Sequence, residues 1–247
     1  DRYLNFKIEV ADEAGNKSDS IFATEQLLID TVEPKIVSVK SVTKQDYDVI
    51  KNGLFAIDDS IYIKLEFSEN IFISEGDASI VLDVASQALI SNSSLQDVSS
   101  VVAIYKVLEG ESTSSLSFEN LNILSPGAKL RDNAGNIMIA FSKNDLLESN
   151  RLTNTSSVEI DGEYPANFTI EKVFVKGSNN REGYWNSTSS ELIVRVGDYA
   201  SSFNNDQSLI DGTVQLKIRI YSNNNTTPST GWRDLGAPVS INDQTTE

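Results

Sequence analysis

Cysteine and histidine are missing from this sequence altogether. Neither residue occurs among the 247 positions. Their absence excludes disulfides, thiol catalysis, histidine general bases, and zinc or haem ligation by either side chain. No arrangement of a nucleophile with a plausible base stands out among the remaining residues. We therefore expect that the chain is not an enzyme.

Basic residues and long apolar runs are also scarce. The sequence has 20 Lys and Arg residues and 36 Asp and Glu residues, which gives a formal net charge of -16. Phosphate binding needs clustered Lys and Arg, so we expect no nucleic-acid partner. No apolar run approaches the roughly 18 residues that a spanning helix needs, so we expect no membrane span in this segment.

The start of the chain suggests an excerpt of a longer protein. It opens on Asp1, without an initiator Met or a basic and then apolar leader. The acidic composition, the many Asn, Ser and Thr residues and the lack of Cys suit an extracellular protein that does without disulfides. We expect an extracellular or cell-surface location.

An internal repeat sets the expected domain boundaries. Asp12-Glu-Ala-Gly-Asn16 recurs as Asp132-Asn-Ala-Gly-Asn136, and Ile29-Asp30-Thr-Val-Glu-Pro34 is echoed by Ile160-Asp161-Gly-Glu-Tyr-Pro165. The period is therefore 120 to 131 residues. We predict three pieces. They are the C-terminal hairpin of a preceding repeat (1–30), a complete repeat (31–161), and much of a further repeat (162–247).

Strand periodicity dominates the complete repeat. In Ser60–Phe67 the residues Ile61, Ile63, Leu65 and Phe67 share one face, while polar residues alternate with them. Segments rich in Ser, Asn, Asp and Gly separate such stretches, which favours an all-β fold of two packed sheets. The other predicted strands are 35–42, 79–84, 101–107, 115–119, 136–141, 168–175, 191–196 and 213–220. Only 143–149 has a brief helical pattern.

Three passages resemble a known family, the tandem bacterial immunoglobulin-like repeats of very large cell-surface proteins and adhesins. They are Leu65-Glu-Phe-Ser-Glu-Asn-Ile71, Leu130-Arg-Asp-Asn-Ala-Gly-Asn136 and Asp30-Thr-Val-Glu-Pro34. The third piece resembles repeats of giant surface proteins through 183–188 and 208–216. The resemblance implies tandem immunoglobulin-like β-sandwich domains whose partners are neighbouring domains of the same long chain.

The chain also departs from this family pattern in two places. The complete repeat carries a long stretch like an insertion at 86–100, and the third piece ends without an Asp-x-Ala-Gly-Asn turn. The last strands of the third piece would then be missing, or another chain would supply them.

The two Asp-x-Ala-Gly-Asn segments allow two interpretations. They are tight turns in which glycine supplies a positive φ, or they contribute to a calcium site, since a chain without His and Cys must bind metals through oxygen. The turn alone offers too few ligands, and the family resemblance implies calcium at domain junctions, where Asp30 and Asp161 lie. The candidate Ca²⁺ ligands are Asp12, Asn16, Asp30, Asp132, Asn136 and Asp161.

Aromatic residues of the third piece suggest another function. Tyr184, Trp185 and Trp232 would stack on sugars if they were exposed, although burial in a core is the ordinary outcome for tryptophan. The expected function is thus a stalk, fibre or adhesin element. The alternatives are a surface-layer or filament subunit that assembles by strand pairing with other copies, and a module that binds surface glycans.

Overall fold

A computed structural model describes residues 2–73, 76–90, 95–123, 129–165, 169–179, 181–197, 212–221 and 230–240. Among these residues, strands make up 50% and helices 5%, which confirms the all-β prediction. The chain divides into two compact units, Asp1–Glu163 and Tyr164–Glu247. The division into three repeats at residues 30 and 161 stays a prediction.

The first unit opens with a narrow two-stranded ribbon over residues 2–29. Its strands β1 and β4 pair antiparallel, as do β2 and β3 between them. Every residue in these four strands is exposed, including apolar ones such as Phe22 at 67%. The strands are β1 (Arg2–Leu4), β2 (Lys7–Ile8), β3 (Ile21–Phe22) and β4 (Leu27–Ile29).

Ten further strands form the body of the first unit. Seven of them make one sheet in the order β12-β8-β9-β10-β7-β13, with β5 also paired to β7. The other three make a smaller sheet in the order β11-β14-β6. The strands are β5 (Ile36–Val42), β6 (Gly53–Ala56), β7 (Ser60–Ile73), β8 (Ala78–Leu82), β9 (Gln87–Ile90), β10 (Gln96–Lys106), β11 (Ser112–Thr113), β12 (Phe118–Ile123), β13 (Leu130–Asp132) and β14 (Val158–Asp161).

Strand β7 organises the larger sheet. Its inward face follows the predicted alternation, with Ile61, Ile63, Leu65 and Phe67 all buried. The strand continues well past Phe67, and Ile71 and Ile73 extend the buried face. It pairs with β10 along one edge, and with β5 and then β13 along the other. The sequence had indicated only the first eight residues of this fourteen-residue strand.

The core joins residues from both sheets of the first unit. Val39 and Ile63 from the larger sheet and Val158 and Ile160 from the smaller one belong to a single buried apolar cluster. Strands β7, β9 and β14 alternate between buried and more exposed residues, as the period of two predicted for β7. Among the described residues, the buried apolar residues all lie in this first unit.

The predicted strand at 136–141 was wrong. These residues form no strand, and only isolated bridges join Ile137 to Arg131 and Ser142 to Asn120. Ile137 and Ile139 are exposed, and of the alternating residues only Phe141 reaches the core. The stretch 86–100 contains β9 and the start of β10. Its residues 91–94 are outside the described chain.

Among the described residues, helical structure is limited to three single turns between Lys143 and Thr155. The 143–149 segment forms 3-10 turns at Lys143–Asp145 and Glu148–Asn150, and helix α1 follows at Leu152–Thr155. In the described parts of the chain, no helix has both the length and the apolar character to cross a membrane.

The described part of the second unit has one long hairpin and two shorter strand pairs. Strand β15 (Thr169–Gly177) pairs antiparallel with β16 (Ser189–Gly197), which matches two of the predicted strands. The predicted strand 213–220 is interrupted after Val214, and Phe168 lies outside the described residues. The remaining strands are β17 (Thr213–Val214), β18 (Lys217–Ile218), β19 (Arg233–Asp234) and β20 (Val239–Ser240), with β17 paired to β20 and β18 to β19.

The shared core makes a first prediction with a matched control. Leu65 on β7 is fully buried, whereas Leu89 on β9 of the same sheet is 62% exposed. Leu65→Ala should lower the free energy of unfolding by about 2–5 kcal/mol, and Leu89→Ala should change it by about 0.5 kcal/mol or less. Urea denaturation followed by circular dichroism measures both. Equal losses in the two variants would contradict the assigned core.

Candidate metal centre

Both Asp-x-Ala-Gly-Asn segments form the same hydrogen-bonded turn. The Asn16 backbone N–H donates to Asp12 Oδ1 at 2.8 Å and its Nδ2 donates to Asp12 Oδ2 at 2.7 Å. Asn136 makes the same two bonds to Asp132, at 2.8 and 2.7 Å. The glycine before each Asn has a positive φ, 87° at Gly15 and 95° at Gly135. The turn geometry alone therefore does not distinguish the two copies.

Their surroundings do distinguish them. The Asp12 turn closes the exposed ribbon, and the hydrogen bonds from Asn16 lower the pKa of Asp12. Asp132 ends β13 and is only 1% exposed. Its strand pairs with the far end of β7, where Asp132 lies opposite Ile71. Asp132 of the second copy is thus buried against the strand that carries the Phe67-Ser68-Glu69 motif, while residues 133–135 of the turn are exposed.

This pairing brings three carboxylates together, and we call Asp30, Glu69 and Asp132 the acidic triad. Each supplies a carboxylate oxygen, and these oxygens all lie within 4.8 Å of one another. Asp30 is the residue that follows β4, so the triad joins the linker after the ribbon to the body of the unit. Asn136 strengthens that connection, because its Nδ2 also donates to the Asp30 carbonyl at 3.3 Å.

Like charges are left uncompensated at the triad. Among the described residues, none of its three carboxylates takes part in an ion pair. Burial raises the pKa of Glu69, and so do the charges of Asp132 and Asp30 and a hydrogen bond with the Asp132 side chain. Two carboxylates share a hydrogen bond only if one holds a proton, so a proton on Glu69 relieves part of the repulsion. A bound cation would relieve it without protonation.

A fourth carboxylate, that of Asp97, bonds to residues next to two members of the triad. Asp97 Oδ1 accepts hydrogen bonds from the side-chain amides of Asn70, at 3.2 Å, and Asn133, at 2.9 Å. These two asparagines directly follow Glu69 and Asp132 in the sequence. Asp97 itself lies at an irregularity in the pairing of β10 with β7 and has a φ of 55°. The network ties together the two chain segments that carry the triad.

The triad oxygens are close enough to share one cation. Ca²⁺ binds oxygen at about 2.3–2.6 Å, so two oxygens on opposite sides of one ion lie about 5 Å apart. The triad oxygens all lie within 4.8 Å of one another, which is inside that limit. Carboxylates are hard ligands that favour calcium or magnesium over soft metals. Six or more ligands are usual for calcium, and water or carbonyl oxygens would supply those beyond the triad.

The other predicted ligands lie apart from the triad. Asp12 and Asn16 bond each other in the ribbon turn. Asp161 ends β14, pairs with Ala56 and Ser112 along the strand, and accepts a hydrogen bond from the Glu163 N–H. Glu69 was not predicted as a ligand. Its position in the Phe-Ser-Glu motif was the available signal, but only its pairing with β13 explains why the motif matters.

Acidic residues that lie close together in the sequence could suggest acid–base catalysis, and several of them occupy turns and ion pairs. Asp58, in a turn with a φ of 71°, pairs with Lys106, while Asp59 accepts a hydrogen bond from the Ala56 N–H. Asp48 and Glu66 both contact Lys64. Each of these carboxylates is therefore engaged in local structure.

The tryptophans of the second unit are exposed, contrary to the expectation that they pack in a core. Trp185 is 60% exposed and Trp232 is 62% exposed. The guanidinium of Arg219 lies 4.3 Å from the centre of the Trp232 ring. Exposed rings of this kind are available for contact with a ligand.

The raised pKa of Glu69 makes a second prediction. The folded protein holds this proton more tightly than the unfolded chain, so the associated stability is present below about pH 4.5 and is lost as pH rises through the folded-state pKa. In the presence of a chelator at pH 7, Glu69→Gln should raise the melting temperature by roughly 2–4 °C. The gain should vanish below pH 4.

Glu66→Gln is the matched control, three residues away on the same strand. Burial opposes ionisation of Glu66, but hydrogen bonds and charges from Lys40 and Lys64 lower its pKa. The same substitution should therefore destabilise the protein at pH 7. Thermal unfolding between pH 3 and pH 8 measures both variants, and a loss of stability in Glu69→Gln would contradict the assigned repulsion.

Comparisons with known proteins found no similar protein. The sequence matches no protein-family model and no curated protein, and the fold matches no solved structure. The functional argument therefore rests on the residues of this chain and on their arrangement.

Proposed function

We propose that the chain is a structural segment of a long extracellular surface protein, in which tandem immunoglobulin-like β-sandwich domains act as a stalk, fibre or adhesin element. In this proposal, Ca²⁺ bound by Asp30, Glu69 and Asp132 stiffens the junction between the ribbon and the body of the first unit. The observation that carries the proposal is that a linker carboxylate meets two carboxylates of the body.

The linker has few other attachments near the triad. Asp30 Oδ1 accepts from the Val32 N–H at 3.0 Å, which shapes the linker locally. The Asn136 side chain bonds the Asp30 carbonyl, and the next attachment is at Lys35, which exchanges hydrogen bonds with Ser68. A cation shared by Asp30 and the body would therefore limit rotation about the segment between these two points.

Carboxylate repulsion gives the junction two states. Without a cation, the charges of Asp132 and Asp30 and the burial of Glu69 disfavour a closed triad. With calcium, the same three charges become the attraction that closes it. Extracellular modules often bind calcium with dissociation constants of about 10⁻⁴–10⁻³ M, which suits a site with three carboxylates that is partly open to water.

A calcium titration tests the metal directly. At a calcium concentration a hundredfold above the dissociation constant, linkage adds about 2.7 kcal/mol to the stability of the native state. The melting temperature of the first unit should then rise by about 5–10 °C. Glu69→Gln and Asp30→Asn should each remove most of the rise, although Glu69→Gln stabilises the metal-free protein.

Asp12→Asn is the matched control for the turn. It changes the same position in the other Asp-x-Ala-Gly-Asn segment but leaves the triad intact, so the calcium response should persist. Magnesium at equal concentration controls for ionic strength. If calcium causes no rise, the metal has no part in the function. Concentration-dependent dimerisation in that case would favour assembly by strand pairing through the exposed ribbon.

Stiffening itself can be measured because the chain lacks cysteine. Spin labels at Glu25→Cys in the ribbon and Asn144→Cys in the body report the distance between the two parts by pulsed electron paramagnetic resonance. Calcium should narrow the distance distribution in the parent protein and leave it unchanged in the Glu69→Gln background. A distribution that stays broad with saturating calcium would show binding without stiffening.

A further inference from the structure

A basic pocket lies on the long hairpin of the second unit. It has a volume of about 310 Å³ and is lined by Lys172, Phe174, Val175, Arg181, Glu182 and Arg195. Three cationic side chains thus surround one cavity with a single carboxylate, in a chain with 16 more acidic than basic residues. This local reversal of charge favours an anionic ligand.

The pairing of β15 with β16 concentrates the positive charge. Lys172 and Arg195 are cross-strand partners, so two like charges lie opposite each other on the hairpin. Such a pair costs stability when nothing of opposite charge intervenes. Lys172 also forms an ion pair with Glu182, with 3.6 Å between its Nζ and Glu182 Oε1, and both side chains are largely exposed. An exposed pair at that distance compensates little of the charge.

Aromatic side chains lie beside the cations. The guanidinium of Arg181 is 5.0 Å from the centre of the Tyr184 ring, and a hydrogen bond from the Tyr184 N–H to the Arg181 carbonyl closes this turn. Tyr184 is 59% exposed. The turn is fixed further along, because Asn186 bonds the Asn179 carbonyl and the Thr188 hydroxyl. Arg181 and Tyr184 are therefore held together in one hydrogen-bonded turn, while Lys172 and Arg195 lie on the strands of the hairpin.

We infer that this pocket binds an acidic carbohydrate, with the carboxylate of a uronic acid residue held by the lining residues Lys172, Arg181 and Arg195. The sugar ring would extend beyond the lining to Tyr184, which contacts Arg181. Guanidinium groups bind carboxylates with two parallel hydrogen bonds, and exposed aromatic rings pack on the apolar faces of sugars. A single small pocket suits one charged sugar unit, whereas the net charge of -16 opposes binding of a nucleic acid.

The site is independent of the calcium proposed for the first unit, and its test is designed to keep the two apart. The full chain is titrated in the presence of a chelator, because uronic acids themselves bind calcium. The probes are trigalacturonate, the neutral galactose trisaccharide of the same linkage, and inorganic phosphate. Chemical shifts of the second unit and the fluorescence of its tryptophans report binding.

The variants separate loss of the site from loss of the fold. Arg195→Gln removes one of two opposed charges, so we expect no loss of stability and about tenfold weaker trigalacturonate binding. Tyr184→Ala should weaken the binding of the sugar more than any binding of phosphate. Lys217 is an exposed lysine on another strand pair, so Lys217→Gln should change neither trigalacturonate binding nor phosphate binding.

The outcomes decide between specific recognition and general attraction. Trigalacturonate binding that is lost in Arg195→Gln and retained in Lys217→Gln supports the inference. Equal binding of the neutral trisaccharide would show that the charge is irrelevant, and equal binding of phosphate would show a site for any anion. Either result overturns the inference, as does the absence of binding at millimolar trigalacturonate.

Discussion

The first unit depends on the pairing of β7 with strands on both of its edges. The inward residues of β7, among them Ile63 and Leu65, form the centre of the core. Strand β7 continues beyond the residues that pair with β5, and its far end pairs with β13 instead. That exchange of partners places Asp132 beside Glu69. The same strand therefore supplies both the hydrophobic stability of the unit and one wall of the acidic triad.

The two copies of the Asp-x-Ala-Gly-Asn turn show how burial changes the chemistry of one motif. In the ribbon, Asp12 and Asn16 satisfy each other at the surface, and the turn is complete without further partners. In the body, the same bonds hold Asp132 in place while β7 covers it. Its carboxylate then acts on Glu69 through a medium that screens charge less than water does. A turn that is only structural in one copy becomes part of a candidate site in the other.

Sequence reasoning predicted the strands of the first unit best where one face is buried, as in 60–67, because the period of two records burial directly. It was wrong at 136–141, where Ile137 and Ile139 remain exposed and only isolated bridges form. It predicted Asp132 and Asn136 as metal ligands from the Asp-x-Ala-Gly-Asn motif, and Asp30 from its position in the linker. Glu69 was missed because the third member of the triad is fixed by strand register, which a sequence without its pairing partners does not reveal.

Repulsion between like charges is the common basis of both proposed sites, and burial sets their different strengths. At the triad, Asp132 is shielded from solvent, so salt screens the carboxylates poorly, and a proton on Glu69 or a bound cation would relieve their repulsion. On the β15–β16 hairpin, Lys172 and Arg195 face water, which weakens both their repulsion and their attraction for a ligand. The inferred affinity of this pocket for one sugar unit is therefore low. If the proposed tandem domains repeated the pocket, weak contacts with one acidic polysaccharide would add up, because each bound unit raises the local concentration for the next.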